Sequence, residues 1–502
     1  MVWRVPLGIA GGVLLGLSFE PTGWWPLTVP ALALMLGAIG GTGARRGAIV
    51  GGIGAAAYFL VLLQWLDVIG PDAWIGLAVV CALYAAAAGA VIGLAKFERL
   101  LTPFLVAAVW MASEAIRARF PFGGFTWGQV AMASADAPTA HWSAYGGLPL
   151  VGFLLVSAAG LLVYAARRIG RGPARRGVVV ALIAAAAIAV VPVPLPDLQP
   201  TDRVNAAIIQ GNVPRLGLDF LGQSRQVLRN HVQETAALAD EVAAGRAVQP
   251  QLVLWPENST DLDPFTDSRT RDLIDSAASD IDAPILVGAV VGTDDPALVA
   301  NTAIVWDPED GPGQQYIKRH PVPFGEYVPF RSLLEGVITR FDRVPRDFIA
   351  GTDVGVLQIG PAKAAVVICF EIADGPLVAE HVAAGGEFIA VQTNNATYGR
   401  TGQPEQQLQI TRLRAMEHGR TTAVAATSGI SAVIGPDGNL RQATAEFTQA
   451  TLTADLEQFT ELTWGTRLGR NVEWVLLFAG LAAAGMLVIG ARRRAGIVEE
   501  AA

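Results

Sequence analysis

The sequence predicts a multi-span α-helical membrane domain joined to an α/β domain, and three observations lead to this fold class. Only 16% of the 502 residues are charged, against roughly 25% in an ordinary soluble domain, and 52% are hydrophobic. Apolar runs close to membrane-spanning length recur through the first 195 residues. Between 203 and 455 the pattern changes to short strand-like runs that alternate with amphipathic helical stretches.

Eight apolar runs are candidate membrane spans, and the distribution of positive charge orients them. The short loops on one side carry only Arg117 and Arg119, whereas the other side carries most of the Lys and Arg residues near the spans. Because cytoplasmic loops are enriched in Lys and Arg, we expect both termini in the cytoplasm and the long polar insert on the opposite side. The candidate spans lie near 5–19, 24–40, 47–66, 73–95, 101–116, 147–166, 177–195 and 472–491.

This topology predicts three segments. We expect a membrane domain with seven transmembrane helices over 1–200, an extracytoplasmic α/β domain over 201–465, and an eighth transmembrane helix with a cytoplasmic tail over 466–502. The net charge of −8 and the lack of a basic patch with interleaved aromatics argue against nucleic acid as a partner. Of the two cysteines, Cys81 lies inside an apolar run, so a disulfide framework is not expected. No Cys-X-X-Cys or His-rich motif indicates a metal site.

The outer loop EAIRARFPFGGFTWGQ, residues 114–129, mixes aromatic residues, glycine and two cations. Arginine pairs well with phosphate, so Arg117 and Arg119 are candidates for binding a lipid headgroup of the substrate. An interfacial belt of aromatics with snorkelling arginines explains the same composition. The sequence leaves both interpretations open.

The polar insert contains eight strand-like runs, and several of them end in polar residues. Gln210, Glu257, Cys369 and Asn394 all lie at the carboxyl side of such runs. Because active sites in α/β folds gather at strand ends, we expect these side chains to converge. A helix is predicted over 224–245, between the first two runs. The strand-like runs are 204–212, 251–258, 283–292, 301–308, 364–371, 387–395, 421–429 and 431–438.

Three residues of the insert suit covalent acyl chemistry. Cys369 is a candidate nucleophile at the end of a core strand, but a thiol needs a nearby base or cation to become a thiolate. Glu257, placed after a strand and a proline, is a candidate base, and Lys318 can stabilise the thiolate and an oxyanion. Taken alone, Cys369 is also consistent with packing, and Glu257 with an ordinary solvated charge. His320, beside Lys318, stays open as an alternative partner of the thiol.

The motifs around these residues resemble those of the nitrilase superfamily. WPE ends at Glu257, K-x-H-x-V-P-F-G-E begins at Lys318, and C-[FY]-E begins at Cys369, in that order. The resemblance implies a Glu-Lys-Cys triad of these three residues and an α-β-β-α sandwich. A nitrilase-like domain between a seventh and an eighth span further resembles the apolipoprotein N-acyltransferase family. The segments QGNVP, QITRLRAMEHGR and SAVIGPDG fit the same family, so the likeness covers nearly the whole chain.

The resemblance implies a two-step acyl transfer that needs no cofactor. Cys369 is expected to attack the ester of a membrane phospholipid, with phosphatidylethanolamine as the expected donor, and to retain the acyl chain as a thioester. The chain then passes to the α-amino group of the diacylglyceryl-cysteine at the N-terminus of a bacterial apolipoprotein. The family further implies a multi-pass protein of the bacterial inner membrane with its catalytic domain on the periplasmic side. We expect a monomer.

The resemblance also implies supporting residues around the triad. Glu326 and Glu371 are expected to support the site, and Glu326 to orient Lys318. Asn394 is expected beside them, since it ends the next strand-like run. Phe370 occupies a position where the family often has tyrosine, so a hydroxyl group is missing there.

Departures from the family concern the loops over the site and leave substrate preference open. Tyr398 stands close to where members often carry tryptophan, and it is a candidate substrate-binding residue. Apolar stretches at 216–221 and 328–338 are candidates for admitting acyl chains at the rim of the site, or for packing against the spans. The main alternative function is a membrane-tethered nitrilase-like amidase. A transporter or receptor is disfavoured, because the spans carry few ionisable residues that could mark a pathway.

Overall fold

The computed structural model describes residues 2–169, 175–213, 225–334 and 345–500. The chain forms two compact units, one of Met1–Leu195 with Arg467–Ala502 and one of Pro196–Thr466. We refer to the first as the membrane unit and to the second as the α/β unit.

The membrane unit is helical, and a helix overlaps every predicted span. Four helical segments are long and apolar enough to cross a membrane: Ala44–Leu62, Pro71–Ile92, Pro138–Arg168 and Trp464–Arg494. The chain is thus a membrane protein, whereas the number of eight spans and their orientation stay predictions. The helices are α1 (Arg4–Gly16), α2 (Thr28–Ile39), α3 (Ala44–Leu62), α4 (Pro71–Ile92), α5 (Thr102–Arg117), α6 (Ser143–Arg168), α7 (Arg175–Val190) and, at the end of the chain, α13 (Trp464–Glu500).

Glycine allows α3 and α4 to approach each other closely. A Cβ atom added to Gly47 would lie 2.3 Å from the carbonyl oxygen of Gly89, and one added to Gly89 would lie 2.6 Å from that of Gly47. Helices in membranes associate through such close backbone packing, because lipid supplies no hydrophobic driving force between them. The small residues that make these runs look featureless in sequence therefore determine how the helices pack.

The α/β unit contains thirteen strands and five α-helices among its described residues. The strands are β1 (Asp202–Gln210), β2 (Leu252–Leu254), β3 (Ile285–Gly292), β4 (Leu298–Asp307), β5 (Gly311–Ile317), β6 (Asp347–Phe348), β7 (Val356–Ile359), β8 (Ala362–Ile368), β9 (Phe388–Thr393), β10 (Thr422–Ala426), β11 (Ala432–Ile434), β12 (Leu440–Ala443) and β13 (Ala450–Gln458). The helices are α8 (Gln226–Ala243), α9 (Ser268–Ile281), α10 (Arg331–Leu334), α11 (Gly375–Ala383) and α12 (Gln403–His418).

These strands form two sheets. The first has the order β13-β1-β2-β3-β4-β5, with β6 beside β4, and the second has the order β12-β11-β10-β9-β8-β7. In each sheet three central strands run parallel, β1 with β2 and β3, and β8 with β9 and β10. The flanking strands pair antiparallel, except β6, which runs parallel to β4. The carboxyl ends of the parallel strands therefore gather at one edge of each sheet.

The first sheet separates two hydrophobic cores, as the alternation along β1 shows. Val204, Ala206 and Ile208 contribute to the core between the two sheets, whereas Ala207 and Ile209 contribute to the core beneath α8 and α9. This period of two follows from the alternating direction of side chains along a strand. With α11 and α12 packed on the second sheet, the unit is the predicted α-β-β-α sandwich.

The eight predicted strands each overlap an observed strand, and the helix predicted over 224–245 contains α8. Five strands were not predicted, namely β5, β6, β7, β12 and β13. Most of these carry little apolar sequence: all four residues of β12 are exposed, and β5 reads GPGQQYI with three exposed residues. Backbone pairing with a neighbour, rather than burial of side chains, makes such edge segments strands.

A close backbone contact at Gly288 of β3 gives a test of this architecture. A Cβ atom at Gly288 would lie 2.2 Å from the carbonyl oxygen of Pro256 and 2.8 Å from the Cα of Glu257. We expect Gly288→Ala to push the Pro256–Glu257 segment away and to destabilise the protein by about 1–3 kcal/mol, as overpacking does. Thermal unfolding in detergent measures this change.

The matched control is Gly313→Ala in β5, where the added Cβ meets only an ordinary contact of 3.5 Å with the carbonyl oxygen of Val305. We expect its unfolding midpoint to stay near that of the wild type. Equal unfolding midpoints for the two variants would contradict the close approach of β3 to the Glu257 segment.

Candidate active site

Polar side chains from four strand ends meet in the α/β unit. Glu257 lies shortly after β2, Lys318 directly after β5, Cys369 directly after β8 and Asn394 directly after β9. The first two come from one sheet and the last two from the other. Only 4% of Glu257, 1% of Lys318 and 5% of Cys369 is exposed. Of the four residues expected to converge, Glu257, Cys369 and Asn394 lie together here with Lys318. The fourth, Gln210, instead contacts Ser431 and Thr444.

The Lys318 ammonium is paired with two carboxylates. Its Nζ lies 3.4 Å from Glu257 Oε1, and 3.0 and 2.9 Å from Oε1 and Oε2 of Glu326. Burial alone would lower the pKa of Lys318, but the negative charges of Glu326 and Glu257 raise it well above its usual value. The side chain is therefore a cation at neutral pH.

The Glu257 carboxylate is fixed from several sides. Asn301 Nδ2 donates to Oε1 at 2.7 Å, and the backbone N–H of Asn394 donates to Oε2 at 2.9 Å. Burial raises the pKa of Glu257, against the opposing effects of the Lys318 cation and of hydrogen bonds from Asn301 and the Cys369 thiol. A carboxylate whose pKa is raised accepts a proton more readily near neutral pH. Glu257 is thus suited to act as a base toward Cys369.

Cys369 sits at a conformationally special position. Its φ is 55°, in the left-handed region that non-glycine residues seldom adopt, and it begins the short 3₁₀ turn Cys369–Ala373. Such positions cluster at functional sites. Burial, followed by the negative charge of Glu257, raises the pKa of the Cys369 thiol to about 12. The Cys369 side chain is therefore a thiol rather than a thiolate at neutral pH.

Glu371 joins the two segments that carry the lysine and the cysteine. Its Oε1 accepts hydrogen bonds from the backbone N–H groups of Arg319 at 2.7 Å and His320 at 3.2 Å, and its Oε2 accepts from that of Ile368 at 2.9 Å. The Tyr316 hydroxyl donates to both oxygens at 3.0 and 3.1 Å. One carboxylate thus fixes the chain that leaves β5 against the end of β8.

Phe370 and Tyr398 form an aromatic pair next to the cysteine. Their rings meet edge to face with centroids 6.1 Å apart and an interplanar angle of 60°. Tyr398 is half-buried, and burial followed by the charge of Cys369 raises the pKa of its hydroxyl. The position places Tyr398 close to the nucleophile, and its role in substrate binding stays a prediction.

The sequence matches two protein families. Residues 11–161 match the apolipoprotein N-acyltransferase N-terminal domain, and residues 205–463 match the carbon-nitrogen hydrolase family. The apolipoprotein N-acyltransferase of Mycolicibacterium smegmatis is 38% identical over 504 residues, which cover 94% of this chain and 83% of that relative. The chain belongs to the apolipoprotein N-acyltransferase family.

More distant relatives in this family carry the same name. The apolipoprotein N-acyltransferase of Photobacterium profundum is 26% identical over 98% of this chain and 96% of its own length. Among solved structures, an amidase of the nitrilase superfamily from Nesterenkonia AN1 is 18% identical, with a TM-score of 0.39 over 52% of this chain and 94% of the amidase. The two family matches and the relatives from Mycolicibacterium smegmatis and Photobacterium profundum confirm the family resemblance expected from the sequence.

In the membrane unit, both arginines that are candidates for binding a lipid headgroup form hydrogen bonds with other parts of the protein. Arg117 is buried, and its guanidinium donates to the carbonyl oxygens of Phe125, Trp127 and Gly128 at 2.9, 2.5 and 3.1 Å. Arg119 pairs with Glu473 at 2.8 and 2.6 Å. Arg117 thus holds its own loop, whereas Arg119 contacts α13, and the headgroup role of both stays a prediction.

Two other predictions fall wholly or partly outside the described residues. The apolar stretch 216–221 lies there entirely, and the stretch 328–338 does so from residue 335 onward.

Within the described part of the chain, no group of three His, Cys, Asp or Glu side chains could hold a metal ion. His320, the alternative partner of the thiol, pairs with Asp374 at 2.9 Å between Nδ1 and Oδ2.

Several polar residues of the site escaped the sequence interpretation. Asn301 bridges Glu257 and Glu326 from within β4, and Tyr316 bonds Glu371 from within β5. Thr393 and Gln407 lie next to Cys369. In the sequence Asn301 only begins a strand-like run. Gln407, a polar residue of α12, resembles a residue on an ordinary solvated helix face. A polar residue within an apolar run is the sequence signal that could identify them, because a polar group that is buried with such a run needs a hydrogen-bond partner.

Replacing the Glu371 carboxylate tests whether it holds the segment after β5 against the end of β8. In Glu371→Gln one oxygen acceptor becomes an NH₂ donor that faces N–H or O–H donors, so a buried donor loses its partner. We expect a loss of about 1–3 kcal/mol in stability, measured by thermal unfolding. The control is Glu380→Gln, whose carboxylate pairs with Arg319 at 2.9 Å but has 47% of its side chain exposed. Exposed pairs contribute little, so two equally destabilised variants would contradict this role.

The His320–Asp374 pair predicts a pH-dependent stability. The hydrogen bond that His320 donates to Asp374 raises the pKa of His320 above 6.5. Burial raises the pKa of Asp374, but the interaction with His320 outweighs it and lowers that pKa below 3.8. The histidine contribution is fully present below pH 6.5 and is lost as pH rises through the raised pKa. The aspartate contribution is present above pH 3.8 and is lost as pH falls through the lowered pKa.

We therefore expect the stabilising effect of the pair to be largest between pH 3.8 and 6.5 and to decline above that range. The measurement is the difference in unfolding midpoint between wild type and His320→Gln as a function of pH. A difference that does not shrink at alkaline pH would show that the histidine is not charged in the pair.

Proposed function

We propose that this protein moves an acyl chain from a membrane phospholipid, through a thioester on Cys369, to the α-amino group of the N-terminal diacylglyceryl-cysteine of bacterial lipoproteins. The observation that carries the proposal is the buried cluster of Glu257, Lys318 and Cys369 at the strand ends of a chain in this family. A nucleophile, a base and a cation in one site are the groups that a two-step acyl transfer requires.

In the first half-reaction Cys369 attacks the ester carbonyl of the phospholipid. The thiol proton passes to Glu257 as the sulfur–carbon bond forms, and the negative charge that develops on the carbonyl oxygen is stabilised by the Lys318 cation. Collapse of the tetrahedral intermediate breaks the ester carbon–oxygen bond. The departing lysophospholipid oxygen takes the proton back from Glu257. An acyl thioester and a lysophospholipid result, and Glu257 is again a carboxylate.

In the second half-reaction the free amine of the apolipoprotein attacks the thioester carbonyl. Glu257 accepts the proton that the amine loses as the carbon–nitrogen bond forms. The sulfur leaves as a thiolate next to Lys318 and is reprotonated by Glu257. Because an amide is more stable than a thioester, the acyl chain stays on the lipoprotein. The same base thus serves both steps, which fits its central position between Cys369 and Lys318.

The other groups of the site act on this triad. Glu326 contacts Lys318 and Asn301, and so keeps the ammonium from pairing fully with the base. Glu371 fixes the two segments that carry Lys318 and Cys369, as described above. The backbone of Asn394 orients Glu257. We propose these as supporting residues, and Phe370 with Tyr398 as part of the wall that the acyl chain meets.

The setting of the reaction follows from its substrates. Both are lipids, and extracting an acyl chain into water costs about 0.8 kcal/mol per CH₂ group, so a membrane-anchored enzyme avoids a large penalty. We propose phosphatidylethanolamine as donor, and a monomer in the bacterial inner membrane with both termini in the cytoplasm and the catalytic unit on the periplasmic side. A tethered amidase that delivers the acyl group to water is the alternative, because the same triad serves it.

A labelled donor tests the proposal. Full-length protein in detergent micelles is incubated with phosphatidylethanolamine carrying a labelled sn-1 chain, without a lipoprotein. We expect label on Cys369 that neutral hydroxylamine releases, no label on Cys369→Ala, and full labelling of the control Cys81→Ala. Glu257→Gln, which is nearly isosteric, is expected to slow labelling by about 10²–10⁴-fold, the usual contribution of a general base.

The acceptor step separates the two functions. Added diacylglyceryl-peptide is expected to receive the label at its α-amino group. Release of label only as free fatty acid supports the amidase. Absence of label on folded wild type eliminates phosphatidylethanolamine as the donor and directs the test to other phospholipids.

A further inference from the structure

One hydroxyl group beside Cys369 takes no part in the two proposed half-reactions. Thr393 is the last residue of β9, and its Oγ1 lies 3.4 Å from Cys369 Sγ, within hydrogen-bonding distance for sulfur. Only 2% of Thr393 is exposed, so water does not compete for this contact. The direction of its O–H bond decides whether the sulfur accepts a hydrogen bond from it.

Gln407 of α12 is the residue from which this hydroxyl accepts a hydrogen bond. Its Oε1 accepts hydrogen bonds from the amide groups of Asn395 at 2.8 Å and Gln403 at 3.1 Å. Its Nε2 faces Thr393 Oγ1 at 2.9 Å and the Cys369 carbonyl oxygen at 3.4 Å. The opposite amide orientation would set donors against donors, because an amide NH₂ cannot accept. The neighbouring amides therefore fix the Gln407 NH₂ group toward Thr393.

The Thr393 hydroxyl then has one direction left for its own proton. Oγ1 accepts the hydrogen bond from Gln407 Nε2. Gln407 Oε1 also lies 3.3 Å from Oγ1, but both acceptor positions of that oxygen are taken by the two amides. Among the described residues, the remaining acceptor within reach of the hydroxyl is Cys369 Sγ. A chain of hydrogen bonds thus runs from the amides through Gln407 and Thr393 to the sulfur.

We propose that Thr393 is a further catalytic residue, whose hydroxyl donates a hydrogen bond to Cys369 Sγ and stabilises the thiolate as it forms and as it leaves. Gln407 is a positioning residue that orients this hydroxyl. The inference rests on the proposed function of Cys369 as the nucleophile. No proton is transferred from Thr393 in either half-reaction, since the thiol proton goes to Glu257 and returns from it.

The environment of the sulfur explains why such a donor matters. Burial and the charge of Glu257 both disfavour a thiolate, whereas the Lys318 cation and the Thr393 hydrogen bond favour it. Lys318 also serves two carboxylates, so its charge is shared. Hydrogen bonds to charged groups are stronger than those between neutral ones, so the Thr393 contact strengthens as negative charge builds on the sulfur.

The test measures thiol reactivity without any lipid, so that its outcome does not depend on acyl transfer. Full-length protein in detergent micelles, in a Cys81→Ala background that leaves Cys369 as the single thiol, is alkylated with iodoacetamide between about pH 7 and 9. In Thr393→Val we expect the thiolate fraction to fall about tenfold and the alkylation rate about threefold, because a more basic thiolate is intrinsically more nucleophilic.

Two matched comparisons isolate the hydroxyl. Thr393→Ser and Thr393→Ala differ only in that group, and we expect the serine variant to alkylate near the wild-type rate and the alanine variant to be as slow as the valine variant. This pair also serves if Thr393→Val does not fold. Thr422→Val removes a hydroxyl from the opposite end of the neighbouring strand β10, where Thr422 pairs with Ile389, and is expected to leave the rate unchanged.

Gln407→Met tests the positioning role through a double-mutant cycle. We expect it to slow alkylation in the presence of Thr393 and to add little in the Thr393→Val background, because its effect passes through the hydroxyl. Wild-type alkylation in Thr393→Val, or equal rates in the serine and alanine variants, would overturn the proposal. Altered alkylation without any acyl thioester from phospholipid would instead leave this inference standing and remove the proposed acyltransferase function.

Discussion

The ion pairs of the buried Lys318 ammonium with Glu257 and Glu326 impose the strongest constraint on the α/β unit. A desolvated cation is tolerated only where opposite charges and hydrogen bonds surround it, and removing one partner of a buried pair typically costs about 3–5 kcal/mol. Glu257 comes from the end of β2, Lys318 from the end of β5, and Glu326 from the loop that follows. Satisfying the ammonium therefore requires these segments to stay together.

The same constraint shapes the reactivity of the cysteine. Because two carboxylates neutralise Lys318, the site carries no excess positive charge that would hold Cys369 as a permanent thiolate, and burial keeps its thiol protonated. The site thus differs from one that relies on a low thiol pKa. In the proposed mechanism Cys369 becomes reactive only when a base takes its proton, and Glu257 is the residue proposed for that role.

A second layer of polar groups supports the first from α12. Arg414 donates to the carbonyl oxygens of Ile372 at 3.0 Å and Ala373 at 2.9 Å, and it pairs with Glu417 of the same helix. These contacts hold the far end of the turn that Cys369 begins, while Gln407 contacts the cysteine itself. The helix thus stabilises a turn that opens with an unfavourable φ, which such positions require from their surroundings.

The sequence was informative wherever burial and hydrogen bonding repeat along the chain. Apolar runs identified the eight helices near the predicted spans and eight of the strands, because buried segments are largely apolar. The polar residues at the ends of those runs indicated Glu257, Cys369 and Asn394. Strands such as β12 were missed, since their side chains are exposed and their formation depends on a neighbour that is distant in sequence.

By itself the sequence determined the division into a helical membrane part and an α/β part, the motifs that place the chain in its family, and the residue types of the candidate triad. The tertiary structure decided what those residues contact: that Asn301 bridges the two carboxylates that pair with Lys318, that Arg117 is buried in its own loop, and that Gln407 donates to the Thr393 hydroxyl. The local pattern of residues along the chain predicts burial and backbone conformation. The direction of a hydrogen bond between residues far apart in the chain is set only when the sheets and helices pack.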